Sequence, residues 1–133
     1  MARNIANSYR KAQINTASPG QRVVMMYEGL VRELKKAKKF MTEINDNVKS
    51  IEDCHNSLDL CQKIILELQL ALDMDNGGEI AENLNNLYDF WILELSNANS
   101  SKEPEKLSPV IQMAEELKDT WKEAAKKSRQ VGA

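Results

Sequence analysis

"SPGQRVVMMYEGLVRELKKAKKFMTEI", residues 18–44, sets the period on which the rest of the chain is read. Ser18 stands where a helix N-cap is expected, Pro19 follows at the first helical position, where its missing N–H costs nothing, and Gln21 is placed to reach back to the cap. Behind this start, Val23, Tyr27, Leu30, Leu34, Ala37, Met41 and Ile44 alternate spacings of four and three, which puts them on one stripe of a helix. The same alternation recurs in Ile51, Cys54, Leu58, Cys61, Ile65, Leu68 and Leu72. It recurs again in Ile80, Leu84, Leu87 and Trp91, and a fourth time in Leu107, Val110, Ala114, Leu117, Trp121, Ala124 and Ser128.

The breaks between the stripes are "NDNVKS", "DMDNGG" and "NANSSKEP", where turn-forming residues gather. Asn76, Gly77 and Gly78 read as a C-cap and turn, and Pro109 splits off a short first turn of the last helix. Four amphipathic helices with short connections predict an all-α fold, an antiparallel four-helix bundle, with helices at about 19–45, 50–74, 79–98 and 104–128. Residues 129–133 are expected to form a flexible tail. Residues 1–17 are expected to form a separate N-terminal segment packed on the surface of the bundle. Ile5 and Tyr9, four apart among polar neighbours, supply too little apolar surface for a fifth core helix but enough for one turn laid on a surface; a frayed end is the alternative.

With 133 residues the chain is one domain, and its 18 Lys and Arg against 20 Asp and Glu argue against a nucleic-acid partner. No apolar run reaches the ~20 residues of a membrane span, and the first residues lack a signal-peptide core, so a cytoplasmic protein without membrane insertion is expected. Cys54 and Cys61 are separated by about 10.5 Å along a helix axis, too far to bridge, and read as reduced core thiols. Lys35, Lys36, Lys38 and Lys39 form a basic cluster that reads as a solvated outer face.

Reactive chemistry is sparse. Glu52 and His55 have the Glu-x-x-His spacing of di-iron bundles, but such a site needs a second copy and His55 is the only histidine. Cys54 lies on the core stripe beside His55 without an electropositive neighbourhood, so a thiol nucleophile is not expected. "DNGG" lacks the Gly-Lys-Ser/Thr of a phosphate loop. No catalytic residue, metal or cofactor is therefore assigned. What remains is surplus apolar surface. Leu66 and Leu70 lie away from the stripe, and in "YDFWIL" Tyr88, Phe90, Trp91, Ile92 and Leu93 point all round their helix. Burial under a loop or a neighbouring copy explains such a surplus, and so does a groove for an apolar helix from a partner.

Several blocks of this sequence resemble the flagellar secretion chaperone FliS family. They are Tyr9, "TASPGQRVVMMYEG" at 16–29, "NGGEIAENLNNLYDF" at 76–90 and "DTWKEA" at 119–124, in the family's order and spacing over nearly the whole chain. Departures are Met26 and Glu28 on either side of Tyr27, and "FWILEL" at 90–95 where the family commonly has a methionine and an arginine pair. The resemblance implies a cytosolic export chaperone that binds the disordered C-terminal segment of flagellin, blocks its premature polymerisation and assists its delivery to the flagellar type III export apparatus. An export-gate component or a regulatory protein is a further partner. On that basis Leu66, Leu70, Leu84, Tyr88 and Phe90 are expected to line the client groove, and Ile5 and Tyr9 to form a lid over part of it. The alternative class is a helical adaptor bundle that self-associates through the same patch.

Overall fold

The computed structural model describes residues 19–132, with the side chains of 128–132 left out of the description. The Ser18 cap and the lid residues Ile5 and Tyr9 thus lie outside the described residues. Among the described residues four helices form: α1 Pro19–Glu43, α2 Lys49–Leu70, α3 Gly78–Ser101 and α4 Ser108–Gly132, with a 3-10 turn Pro104–Leu107 ahead of α4.

Cross-helix neighbours give the directions. Along α1 and α4, Gly20 approaches Ala125, Tyr27 faces Trp121 and Lys35 pairs with Glu115 at 2.5 Å, so one set of numbers rises as the other falls. Gln69 near the end of α2 reaches Asn85 and Asp89 near the start of α3, while Ile51 and His55 near the start of α2 lie beside Asn99 and Lys102. Both pairs are antiparallel, as in an antiparallel four-helix bundle.

The core follows the stripes with one shift of phase, in α3. Tyr27, Leu30, Leu34, Ala37 and Met41 of α1 meet Cys54, Leu58, Cys61, Ile65 and Leu68 of α2, and Leu107, Val110 and Ala114 close the far side. On α3 the buried row is Ala81, Tyr88, Trp91, Leu95 and Ala98. The expected row of Ile80, Leu84, Leu87 and Trp91 is corrected: Ile80 is 70% exposed, and Leu84 and Leu87 are half-buried. Ile51, expected in the core, lies on the rim at 45% exposure, and Ala124 of α4 is exposed.

Four boundaries also differ from expectation. α1 stops at Glu43, two residues early. α2 stops at Leu70 and not at 74: Ala71 caps it, and Leu72 follows in the turn, half-buried without being helical. Asp73 then organises the turn, its carboxylate accepting from the Asn76 backbone N–H at 3.0 Å and the Asn76 side chain at 3.1 Å; an Asx-type bond of this kind competes with helix for the same backbone. α3 continues to Ser101, where Lys102 adopts the left-handed conformation and its N–H bonds to the Ala98 carbonyl at 2.7 Å. In the last helix Pro104 opens the 3-10 turn and Pro109 sits in the first turn of α4, where proline is tolerated. α4 runs to Gly132, so its helical backbone replaces the free tail expected from 129.

Candidate functional site: the apolar face of α2 and α3

Tyr27 is fully buried and Tyr88 is 2% exposed, and their hydroxyls share a hydrogen bond of 2.6 Å between α1 and α3. Trp91 packs against both rings, edge-on to Tyr27 with centroids 6.3 Å apart and tilted on Tyr88 at 5.5 Å. Trp121 adds a fourth ring, 6.4 Å from Tyr27; its indole N–H lies toward the Tyr27 hydroxyl without reaching hydrogen-bond geometry. Burial pushes the phenol pKa of both tyrosines upward, and at Tyr88 the shared hydrogen bond adds to the effect. Both remain neutral hydrogen-bonding groups at physiological pH. The expectation that Tyr88 lines an open groove is therefore corrected: its ring belongs to the core, because a phenol so placed satisfies a second buried hydroxyl.

The cysteines are equally closed to chemistry. Cys54 and Cys61 are free and fully buried, and burial raises both thiol pKa values, aided at Cys61 by the nearby Glu33 carboxylate. Thiols held protonated in this way are poor nucleophiles and poor metal ligands. His55 is exposed on the rim of a shallow depression with Val48, Lys49, Ile51, Glu52, Asn99 and Lys102. Among the described residues no three His, Cys, Asp or Glu come together in a way that could hold a metal ion.

The outer surface of α2 and α3 is different in kind. Leu66 is 48% exposed and Leu70 85%, both on the side of α2 away from the core stripe, and Phe90 of α3 is 45% exposed. Leu84, the remaining expected groove residue, is half-buried against the core. The seam between the helices is marked by Gln69, whose amide donates to the Asn85 carbonyl at 3.3 Å and to the Asp89 carboxylate at 2.6 Å. On a helix of 3.6 residues per turn, Leu66 lies on the seam side of α2 with Gln69, and Ile92 on the seam side of α3 with Asp89; Phe90 lies on the opposite flank of α3. Leu66 and Phe90 thus border different grooves, with Leu93 on the outer crest between them.

Exposed Met74 in the turn and Ile80 in the first turn of α3 extend the apolar surface to that end of the bundle. Spacing alone places Ile80 in the core; the sign of its exposure is Ala81, the neighbour that completes the Tyr88 and Trp91 row.

The fold and this surface define a class: an all-helical bundle with an aromatic, unreactive interior and apolar side chains displayed on the outer faces of α2 and α3. The sequence profile of the family described as Flagellar protein FliS matches residues 1–128. The chain is 35% identical to the flagellar secretion chaperone FliS of Vibrio cholerae, over 90% of this chain and 87% of that one. It is 32% identical to that of Campylobacter jejuni, over 92% and 93%. A solved structure described as a flagellar chaperone from bacteria superposes with a TM-score of 0.73 at 20% identity, covering 96% of this chain and 99% of that one, which shows the shared fold. The chain belongs to the FliS family of flagellar secretion chaperones. Among the described residues no helix is long and apolar enough to cross a membrane.

Proposed function

We propose that the protein is a cytoplasmic export chaperone that binds the disordered C-terminal segment of flagellin, keeps it from premature polymerisation and assists its delivery to the flagellar type III export apparatus. The observation that carries this reading is the set of exposed apolar side chains on α2 and α3, headed by Leu70 at 85% exposure. A filament subunit's terminal segment is unstructured alone and helical when assembled, so it carries an apolar face that needs cover until assembly. Leu66 and Leu70 on α2 and Phe90 on the far flank of α3 offer that cover, and Leu84 is half-buried against the core. Binding that orders the client loses several kcal/mol of the gross interaction, which leaves release at the export gate feasible.

Ile5 and Tyr9 complete the proposal as a lid that lies over part of this surface while no client is bound. Burying two such side chains contributes ~3 to 5 kcal/mol, and ordering several residues at ~1 to 2 kcal/mol each offsets most of it, so the lid closes only marginally.

The test is Leu70→Glu. Placing a carboxylate against an apolar helix should weaken flagellin binding by on the order of 10-fold or more, while the exposure of Leu70 leaves the melting temperature nearly unchanged. Undiminished binding by a folded variant would remove Leu70 from the groove. A bundle that dimerises through this face and ignores flagellin would instead be the adaptor.

A further inference from the structure

All of the large apolar side chains found exposed, from Val48 to Leu93, belong to α2, α3 and the turns at their ends, and among the described residues none belongs to α1 or α4. Charge divides along the same line. Residues 49–101 contain ten carboxylates and two lysines, and Lys63 is already paired with Asp59 at 3.1 Å. α1 has six basic residues and three acidic ones. The overall net charge of -2 hides this separation.

The carboxylates border the apolar side chains. Glu52, Asp59 and Leu66 are spaced by seven and share one face of α2, and Glu82 and Asp89 share one face of α3; all are exposed. Asp89 stands at the seam itself, through its bond with Gln69.

We propose that this face takes its client as an amphipathic helix with a basic edge, apolar side chains lying over Leu66, Leu70 and Leu93 while Lys or Arg side chains reach Glu82, Asp89 and, in exchange for the solvent-exposed Lys63, Asp59. The proposal rests on the chaperone reading above and adds the client chemistry that the face selects. A second copy of the chain is a poor occupant, because its own α2 and α3 would bring carboxylates against carboxylates, and its basic α1 presents no large exposed apolar side chain. A nucleic acid is excluded by the sign of the charge.

Two synthetic helical peptides with the same leucine stripe, one edged with lysine and the other with glutamate, test this by fluorescence anisotropy. The lysine-edged peptide should bind on the order of 10-fold tighter at ~50 mM salt, with the gap closing at ~500 mM as screening shortens the reach of the carboxylates. The triple variant Asp59→Asn, Glu82→Gln, Asp89→Asn, its fold checked by circular dichroism, should lose most of that preference. Glu123→Gln on the exposed surface of α4 should keep it. Equal affinity for the two peptides, or a preference that Glu123→Gln abolishes as fully as the triple variant does, would overturn the proposal. So would a preference visible only after residues 1–18 are deleted: that segment has Ile5 and Tyr9 with Arg3, Arg10 and Lys11 and no carboxylate, and would then be the occupant itself. The flagellin C-terminal segment is measured alongside. Its binding without charge preference sinks this inference alone, and its failure to bind removes the chaperone reading as well.

Discussion

At the scale of single residues, the hydroxyl pair of Tyr27 and Tyr88 is the feature with the most consequences. The pair joins α1 to α3 inside a largely apolar interior. Tyr88→Phe should cost about 1 to 2 kcal/mol in urea denaturation, because it leaves the Tyr27 hydroxyl buried without its partner. Tyr27→Phe should cost a similar amount, and the double variant less than the two together. A strictly additive double variant would mean that the hydroxyls act separately. The same pair contributes to the loss of stability at alkaline pH, alongside the two buried thiols whose pKa values are also raised. Both phenols ionise at higher pH in the folded protein than in the unfolded chain. Above pH ~10 the unfolded chain therefore binds fewer protons than the native state, and stability falls as pH rises; below that pH the contribution is fully present. The double Phe variant should show a shallower decline in a denaturation series from about pH 8 to 11.

Among the elements, the connection from α2 to α3 carries the strictest steric demand. A Cβ at Gly77 would stand 2.5 Å from both the Asp73 carbonyl oxygen and the Ala81 Cβ, and Gly78 has φ +58° with open space around it. Gly78→Ala should cost ~1 kcal/mol from left-handed strain alone. Gly77→Ala should cost more, since backbone has to move, and thermal melts of the two variants give the order. The glycines are legible in sequence as the place where the chain reverses, but the early end of α2 is not. Leu72 follows Leu68 by four and Ile65 by seven, so its spacing continues the stripe; the Asp73 to Asn76 bonds that hold the turn beyond the helix depend on how that turn folds. The phase of α3 escapes the sequence for a related reason. Leu87 and Tyr88 both fit beside Trp91, and hydropathy favours leucine, whereas a phenol on another helix decides for tyrosine. Leu95 and Ala98 continue the true row and are the available sign. Leu66 and Leu70, by contrast, are readable as surplus because the stripe of Cys61, Ile65 and Leu68 already fills the inward side of α2.

For the whole molecule, a buried interior that joins the helices contrasts with the apolar side chains left exposed on α2 and α3, the face proposed for the client. An exposed apolar face invites self-association, and the lid proposed above would limit it without excluding a client. Ile5→Ala with Tyr9→Ala should leave the bundle folded, raise its tendency to self-associate, and change client affinity by about 10-fold or less. Hydrogen exchange over residues 2–15 checks this; amides equally unprotected with and without client, and indifferent to the double variant, would show a loose end. Whether the protein covers the C-terminal segment of flagellin is tested by co-purification with full-length flagellin and with flagellin lacking that segment. A one-to-one complex is expected with the full-length protein and none with the truncated one. Equal recovery of both would contradict the proposed function.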